Sequence, residues 1–290
     1  MPSASVPRPL TAADAPALDR LLARHLFAGA YARSYLRSAG IGPDGVTGWA
    51  CCGADATPSA ALVAHDSIGW AVWDTPDQAV ALAPAVAALG LTLLSGPQAM
   101  VAPLAAALPQ PTRGDHCPFV TLHPAALVAP PAVAAWSPRP ADLADLEALI
   151  DFYIGGFYSL AYLPTRAAWA TRLTEQLAQR TLYCLTDPTG CIVSAALSSA
   201  ETPSAALIGG VATLEAYRGQ GLSTRCVAAL CAALFAGGRR EIGLFYLSAN
   251  APAAHVYAKL GFAPAGAWWL ERVGGRQAAV GGRQSSVDAD

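Results

Sequence analysis

Two short stretches of this chain carry residue types whose spacing could do chemistry. The first is Arg218-Gly219-Gln220-Gly221-Leu222-Ser223. It follows an apolar run and opens an amphipathic one, so it sits where a helix presents unpaired backbone N–H groups. Such a helix start is a site for an anion, usually a phosphate. Gly219 and Gly221 remove the Cβ atoms that would hold a pyrophosphate away from the backbone. Arg218 can add a charge-assisted contact. The second stretch holds Asn250, Ala253, Tyr257 and Gly261-Phe262. A phenol with a pKa of about 10 is protonated at neutral pH and could act as a general acid.

These side chains need a strand, a loop and two helices to position them. Residues 205–213 read as the strand before the glycine turn, and 222–235 as the helix after it. Residues 242–247 read as a second buried strand. Asn250 is a good N-cap, Pro252 falls in the first turn, and Gly261 is placed to end the helix in a left-handed conformation. That helix is therefore about ten residues long. Asn250 and Tyr257 lie about two turns apart and share a face.

Together these segments resemble motifs A and B of the GNAT superfamily of acyl-CoA-dependent N-acetyltransferases. Motif A, Arg/Gln-x-x-Gly-x-Gly/Ala, is matched by Arg218 to Ser223, with Ser223 where the family prefers glycine or alanine. Serine is small, and its hydroxyl could cap the helix. Motif B, Asn-x-x-Ala-x-x-x-Tyr followed by Gly-Phe, is matched by Asn250, Ala253, Tyr257 and Gly261-Phe262. The resemblance covers residues 137–273. It implies an α/β fold of the α+β kind, with a central twisted mixed sheet flanked by helices, and acetyl-CoA as co-substrate. It further implies that Val211, Ala212 and Thr213 run beside the pantetheine arm, that a backbone N–H near Val211 polarises the thioester oxygen, and that Arg218, Gly219, Gln220, Gly221, Leu222 and Ser223 hold the pyrophosphate. Tyr257 is the implied general acid. Asn250 would cap its helix and touch CoA secondarily, and His255, on another face, reads as a surface residue.

The general base is not evident. Several relatives use a glutamate near the strand that ends at Thr213, but residues 205–213 carry no titratable side chain. Glu201, read as part of the preceding turn, is the candidate base; Glu215 reads as support for the loop, and a water chain could replace both. An acceptor site is expected in the aromatic stretch 152–169, with Tyr153 and Tyr158 as substrate-binding candidates through stacking on an amine.

Composition bounds the wider reading. The chain has 290 residues, enough for two domains, with 54% apolar and 13% charged residues. That composition supports packed cores and argues against disorder. The net charge of −2 offers no basic patch for nucleic acid. Seven cysteines lack metal-ligand spacing, so no metal is expected, and their apolar neighbours suggest reduced thiols in a cytoplasmic protein. The N-terminus shows no charged-then-apolar signal pattern. The apolar stretch 78–108 is cut by Pro84, Gly90, Gly96, Pro97 and Pro103, so no membrane span is expected.

Prolines at 124, 130, 131, 138 and 140 mark a linker, with the domain boundary near 130–136. The expected division is an N-terminal domain at 1–130, a catalytic domain at 137–273 and a disordered tail at 274–290. Residues 11–22 align with 139–150, matching Asp14 to Asp142 and Leu18 to Leu146, which suggests a duplication. The first half reads as strands at 60–64, 68–73, 91–94 and 118–122, with helices at 78–89 and 97–108. Lacking the glycine turn, it reads as a degenerate GNAT-like domain that binds no CoA. The second half reads as helices at 141–152 and 165–178, strands at 181–186 and 191–200, and a type I turn at 187–190.

The leading expectation is an N-acetyltransferase that moves an acetyl group to a small-molecule primary amine by direct attack. The alternatives are a CoA-responsive binding or regulatory module without efficient catalysis, and a tandem transferase of small-thiol biosynthesis. A homodimer through sheet edges or the N-terminal half is compatible with the sequence.

Overall fold

The computed structural model describes residues 6–53, 56–133, 135–156, 165–179 and 181–274. The expected tail from 275 onward lies outside the described residues. Within the first half the elements are β1 (Arg8–Pro9), α1 (Ala15–Arg24), α2 (Ala30–Ala39), β2 (Thr47–Cys52), β3 (Pro58–His65), β4 (Ile68–Trp73), α3 (Asp77–Ala88), β5 (Leu93–Pro97), α4 (Gln98–Ala106) and β6 (Arg113–Leu122). The second half supplies β7 (Arg139–Pro140), α5 (Leu146–Gly156), α6 (Arg166–Gln179), β8 (Leu182–Thr186), β9 (Ile192–Glu201), β10 (Ala205–Thr213), α7 (Leu222–Ala236), β11 (Glu241–Phe245), α8 (Ala251–Lys259) and β12 (Ala263–Arg272). The second list repeats the first, element for element.

All twelve strands form one mixed sheet, in the order β1-β2-β3-β4-β5-β12-β6-β11-β10-β9-β8-β7. The last strand of each half is exchanged. β12 pairs with β5, β6 pairs with β11, and the two exchanged strands pair antiparallel at the centre from Ala263↔Thr121 to Arg272↔Arg113. A proline-rich connection divides the sequence, but it does not divide the sheet. Among the described residues it carries no strand between Leu122 and Arg139. It runs against the second half through Val128 N–H to Leu260 C=O at 3.1 Å and Arg225 Nη1 to Pro131 C=O at 2.6 Å.

Alternation along the strands sorts the helices into two layers. Ala61 and Val63 of β3 pack with α1 and α2, whereas Ala60, Leu62 and Ala64 pack with α3 and α4. Likewise Cys117 and Phe119 of β6 share a cluster with Ala30 of α2, while Val120 and Leu122 join α7 and α8. β9 is covered on both faces, by α7 on one side and by α5 and α6 on the other. This is why Ile192 to Ala200 reads as a buried run rather than an alternating one.

The repeat is visible in detail at the start of each half. Arg8 grips Asp14 with two hydrogen bonds of 2.9 and 2.7 Å, and Arg139 grips Asp145 with two of 2.7 Å. Each aspartate also accepts from a backbone N–H three residues back, Thr11 or Asp142, in a capping box. The repeated unit is Arg-Pro-x-Thr/Asp-x-x-Asp, so Asp14 corresponds to Asp145 and Leu18 to Leu149. The alignment of Asp14 with Asp142 is therefore three residues out of register, because the alanine-rich sequence hid the Arg–Asp pair that anchors it.

Candidate active site

The site is built where β10 leaves its neighbours. β10 pairs in parallel with β11 only from Ala205 to Leu207, so on that edge residues 208–213 have no strand partner among the described residues. On the other edge the register with β9 shifts between Gly209 and Ala212. This bulge centres on Gly210, at φ +56°. A Cβ there would meet the Leu197 side chain at 2.8 Å and the Tyr153 hydroxyl oxygen at 3.1 Å. Glycine is required on both counts. The Gly209-Gly210 pair inside an apolar strand is the signal that could have announced the bulge.

Beyond Thr213 the chain makes a short 3-10 turn at Glu215–Tyr217 and reaches Gly219 at φ +78° and Gly221 at φ +73°. Gly221 is the N-cap of α7, and no side chain caps that helix. Ser223 lies inside the first turn, so the hydroxyl cap expected of it is not made. The first N–H groups of α7 are thus unmatched by side chains, and the positive end of the helix dipole faces outward. A Cβ at either glycine would meet no atom within 4 Å, so the positive φ requires glycine and the space beside it is open. Leu222 is buried and anchors the helix start in the core, while Arg218 Nε donates to Thr213 C=O at 3.3 Å. Gln220 is exposed. The loop is pinned from behind. Tyr217 Oη donates to Asp187 at 2.8 Å, and Trp136 packs edge-on to the Tyr217 ring at 6.1 Å. Hydrogen bonds from Thr189 and Tyr217 lower the Asp187 carboxyl to about 2.

Val211 and Ala212 continue past the bulge, with Val211 half-buried against the α7 core and Ala212 buried. Thr213 Oγ1 lies 2.8 Å from Ser194 Oγ, whose hydroxyl donates to Ala212 C=O at 3.1 Å. β9 thereby holds the free end of β10.

After β11, Asn250 caps α8 by accepting from Ala253 N–H at 3.1 Å. Tyr257 is only 7% exposed, between Tyr246 at 5.6 Å and Phe262 at 5.7 Å. Its hydroxyl forms no hydrogen bond among the described residues. Burial raises the phenol well above the ordinary tyrosine range. The side chain stays protonated through neutral and mildly alkaline pH, the state that a general acid needs. His255 is exposed, and Gly261 takes φ +92° as the helix ends.

Two expected site residues are corrected. Glu201 is not an exposed turn residue: it ends β9, opposite Ala206, and its side chain is 9% exposed. Its carboxylate is bound by Arg239, by Thr181 N–H at 2.7 Å and by Ser198 Oγ at 2.5 Å. It lies at the end of β10 away from the glycine loop, and fully engaged there it cannot serve as the base. Tyr153 does not face an acceptor either. It is 1% exposed, stacks on Trp169 at 5.4 Å, and donates its hydroxyl to Gly210 C=O at 2.8 Å. Its function in the fold is to hold the bulge. Tyr158 lies outside the described residues. Among the described residues no His, Cys, Asp and Glu group is arranged to hold a metal, and no helix is long and apolar enough to cross a membrane.

Residues 146–262 match the family model described as Acetyltransferase (GNAT) family. No curated protein matches the sequence. Among solved structures the chain is similar to a GCN5-related N-acetyltransferase from Sphaerobacter thermophilus, with 17% identity, a TM-score of 0.61, and 92% of this chain and 95% of that one covered. A tandem GNAT protein from the clavulanic acid biosynthesis pathway aligns at 15% identity and a TM-score of 0.61, over 93% of this chain and 99% of that one. A Drosophila protein aligns at 13% identity and a TM-score of 0.66, again over 93% and 99%. These likenesses extend the shared fold over nearly the whole chain, first half included. The strand that parts from its neighbour, the uncapped glycine-led helix and the buried tyrosine all fall inside the matched segment, and residues 146–262 form a domain of the GNAT acetyltransferase family.

Proposed function

We propose that the chain is an acetyl-CoA-dependent N-acetyltransferase acting on a small-molecule primary amine. The observation that carries this reading is the uncapped start of α7 behind left-handed Gly219 and Gly221, at the end of the edge that β10 leaves free beyond Leu207. An extended pantetheine arm would lie along the free edge of residues 208–213 as an added strand does. Its pyrophosphate would then meet the N–H groups of Gly219 to Ser223, with Arg218 beside them. The bulge at Gly210 turns backbone N–H groups near Val211 toward the thioester oxygen, where charge develops as the amine attacks. The amine nitrogen bonds to the acetyl carbon, the C–S bond breaks, and Tyr257 gives its proton to the departing sulfur. The ammonium proton leaves to water, because Glu201 is held by Arg239 and β10 carries no titratable side chain.

That captured glutamate favours one second reading, a CoA-responsive module without efficient turnover. One assay separates the two: release of free thiol from acetyl-CoA over a panel of primary amines. Amine-dependent thiol release at least tenfold above the amine-free rate supports the enzyme. Tight acetyl-CoA binding with no amine-dependent release across the panel supports the module.

A further inference from the structure

A second hollow lies at the seam between the two repeats. It is a cavity of about 600 Å³, walled by Ser34, Arg37 and Ser38 of α2 and by Glu201, Thr202 and Arg239 of the second half. Glu201 sits opposite Ala206, whereas the glycine loop follows Thr213. Seven residues of extended strand, roughly 23 Å, separate the two places. The cavity is therefore distinct from the donor cleft, and the inference drawn from it does not rest on the proposed activity.

Its chemistry is set by guanidinium groups with bonding to spare. Arg37 is exposed and forms no hydrogen bond or ion pair among the described residues. Arg239 spends one nitrogen on Gly237 C=O at 3.0 Å and another on Glu201, and its Nε is buried with no partner. Glu201 does not cancel both arginines. Its single charge is already shared among Arg239, Thr181 N–H and Ser198. The hydroxyls nearby add little donor capacity, since Ser38 donates to Tyr35 C=O and Thr202 to Ala205 C=O. Asp19 also interacts with Arg37, but its carboxylate is gripped by Arg33 through two hydrogen bonds, so an excess of positive charge remains in two planar forks, one from each repeat. A tetrahedral dianion has acceptors enough for both, and the cavity has far more room than a bare oxyanion fills.

We propose that this cavity binds the phosphoryl group of a small molecule, gripped by Arg37 from the first repeat and Arg239 from the second. Bound there, the ligand ties α2 to the β9–β10 hairpin and so fastens the two repeats together across their seam.

The test is calorimetric titration of the full chain with inorganic phosphate and, separately, with glycerol 3-phosphate, against sodium chloride at matched ionic strength. Saturable one-to-one binding is expected, weakened at least about tenfold in Arg37→Gln and unchanged in Arg113→Gln, an exposed arginine on β6. Tighter binding of the ester assigns the site to a phosphorylated metabolite, and equal binding assigns it to free phosphate; both uphold the phosphoryl site. The proposal is overturned by the absence of saturable heat with either probe, or by wild-type affinity in Arg37→Gln. Heat that disappears in Gly221→Pro but persists in Arg37→Gln would place the anion at the donor loop and also overturn it. Circular dichroism and thermal melting of Arg37→Gln confirm that any loss is not unfolding.

Discussion

β4 and β10 occupy the same place in the two repeats and end differently. Both part early from a parallel neighbour: β4 pairs with β5 only at Ile68 and Gly69, β10 with β11 only to Leu207. The parting therefore belongs to the fold and is not in itself a site. β4 pairs with β3 without a break and passes through Asp74-Thr75-Pro76 into α3. There Gln78 Oε1 accepts from the N–H groups of Asp74 and Thr75 just ahead of the helix, the N–H groups of Gln78 and Ala79 donate to the carbonyls of Thr75 and Pro76, and Asp77 supplies negative charge to the first turn. That helix start is satisfied from within and repels an anion. α3 too lacks a side-chain cap, but β10 carries the bulge at Gly210 and leads into its uncapped helix through two left-handed glycines, with no acidic residue in the first turn. One duplicated frame holds two junctions, and the residues of a few loop positions decide which of them can take a phosphate.

Several substitutions would break or sharpen that contrast. The largest effect is expected from Tyr257→Phe, which keeps the packing against Tyr246 and Phe262 and removes only the hydroxyl proposed as the acid. The turnover number should fall by about 10²–10⁴ while acetyl-CoA affinity stays unchanged. An equal rise in dissociation constant would instead mark Tyr257 as a binding residue. In the proposed role, burial of this phenol would delay the alkaline limb of the wild-type rate profile. Its folded pKa lies above the ordinary value near 10, so activity should hold through that pH and decline only above it.

Gly221→Pro forces φ from +73° to about −65° at the head of α7. It should weaken acetyl-CoA binding on the order of a hundredfold. Thr75→Gly, at the matching junction of the first repeat, should leave binding unchanged. Tyr153→Phe leaves Gly210 C=O without its partner and loosens the bulge. A loss of about tenfold in turnover is expected, with a smaller change in acetyl-CoA affinity, read from single-turnover and binding measurements.

The smallest effects test the sameness of the repeats. Arg8→Ala and Arg139→Ala should each cost about 1 kcal/mol in urea unfolding, since both pairs are partly solvated. Asp14 and Asp145 are held below the usual carboxylate range, chiefly by Arg8 and Arg139. Their contribution is present above the unfolded carboxylate value, near about 4, and is lost as the pH falls below it. Acid destabilisation should therefore shrink in the double variant.

Much of the second half was legible, because its signals are local. The strand 205–213, the glycine turn, the capped helix after Asn250 and the left-handed Gly261 each follow from a few adjacent residues. What the sequence did not disclose depends on distant partners. Nothing within 263–272 says that this strand will leave its own repeat to pair with β5, and nothing in 113–122 says that β6 will pair with β11. Glu201 read as an exposed turn because the Arg239 that captures it lies 38 positions away. Tyr153 read as a ligand-facing aromatic because its partner, the carbonyl of Gly210, carries no side-chain signature.

The most direct test of the contrast is the stoichiometry of acetyl-CoA binding to the full chain by calorimetry. One site per chain is predicted, because among the described residues only the β10–α7 junction joins an uncapped helix start to left-handed glycines. Two sites per chain would show that the first repeat still holds the donor, and no site, in a protein shown to be folded, would show that neither junction does; either result contradicts the account.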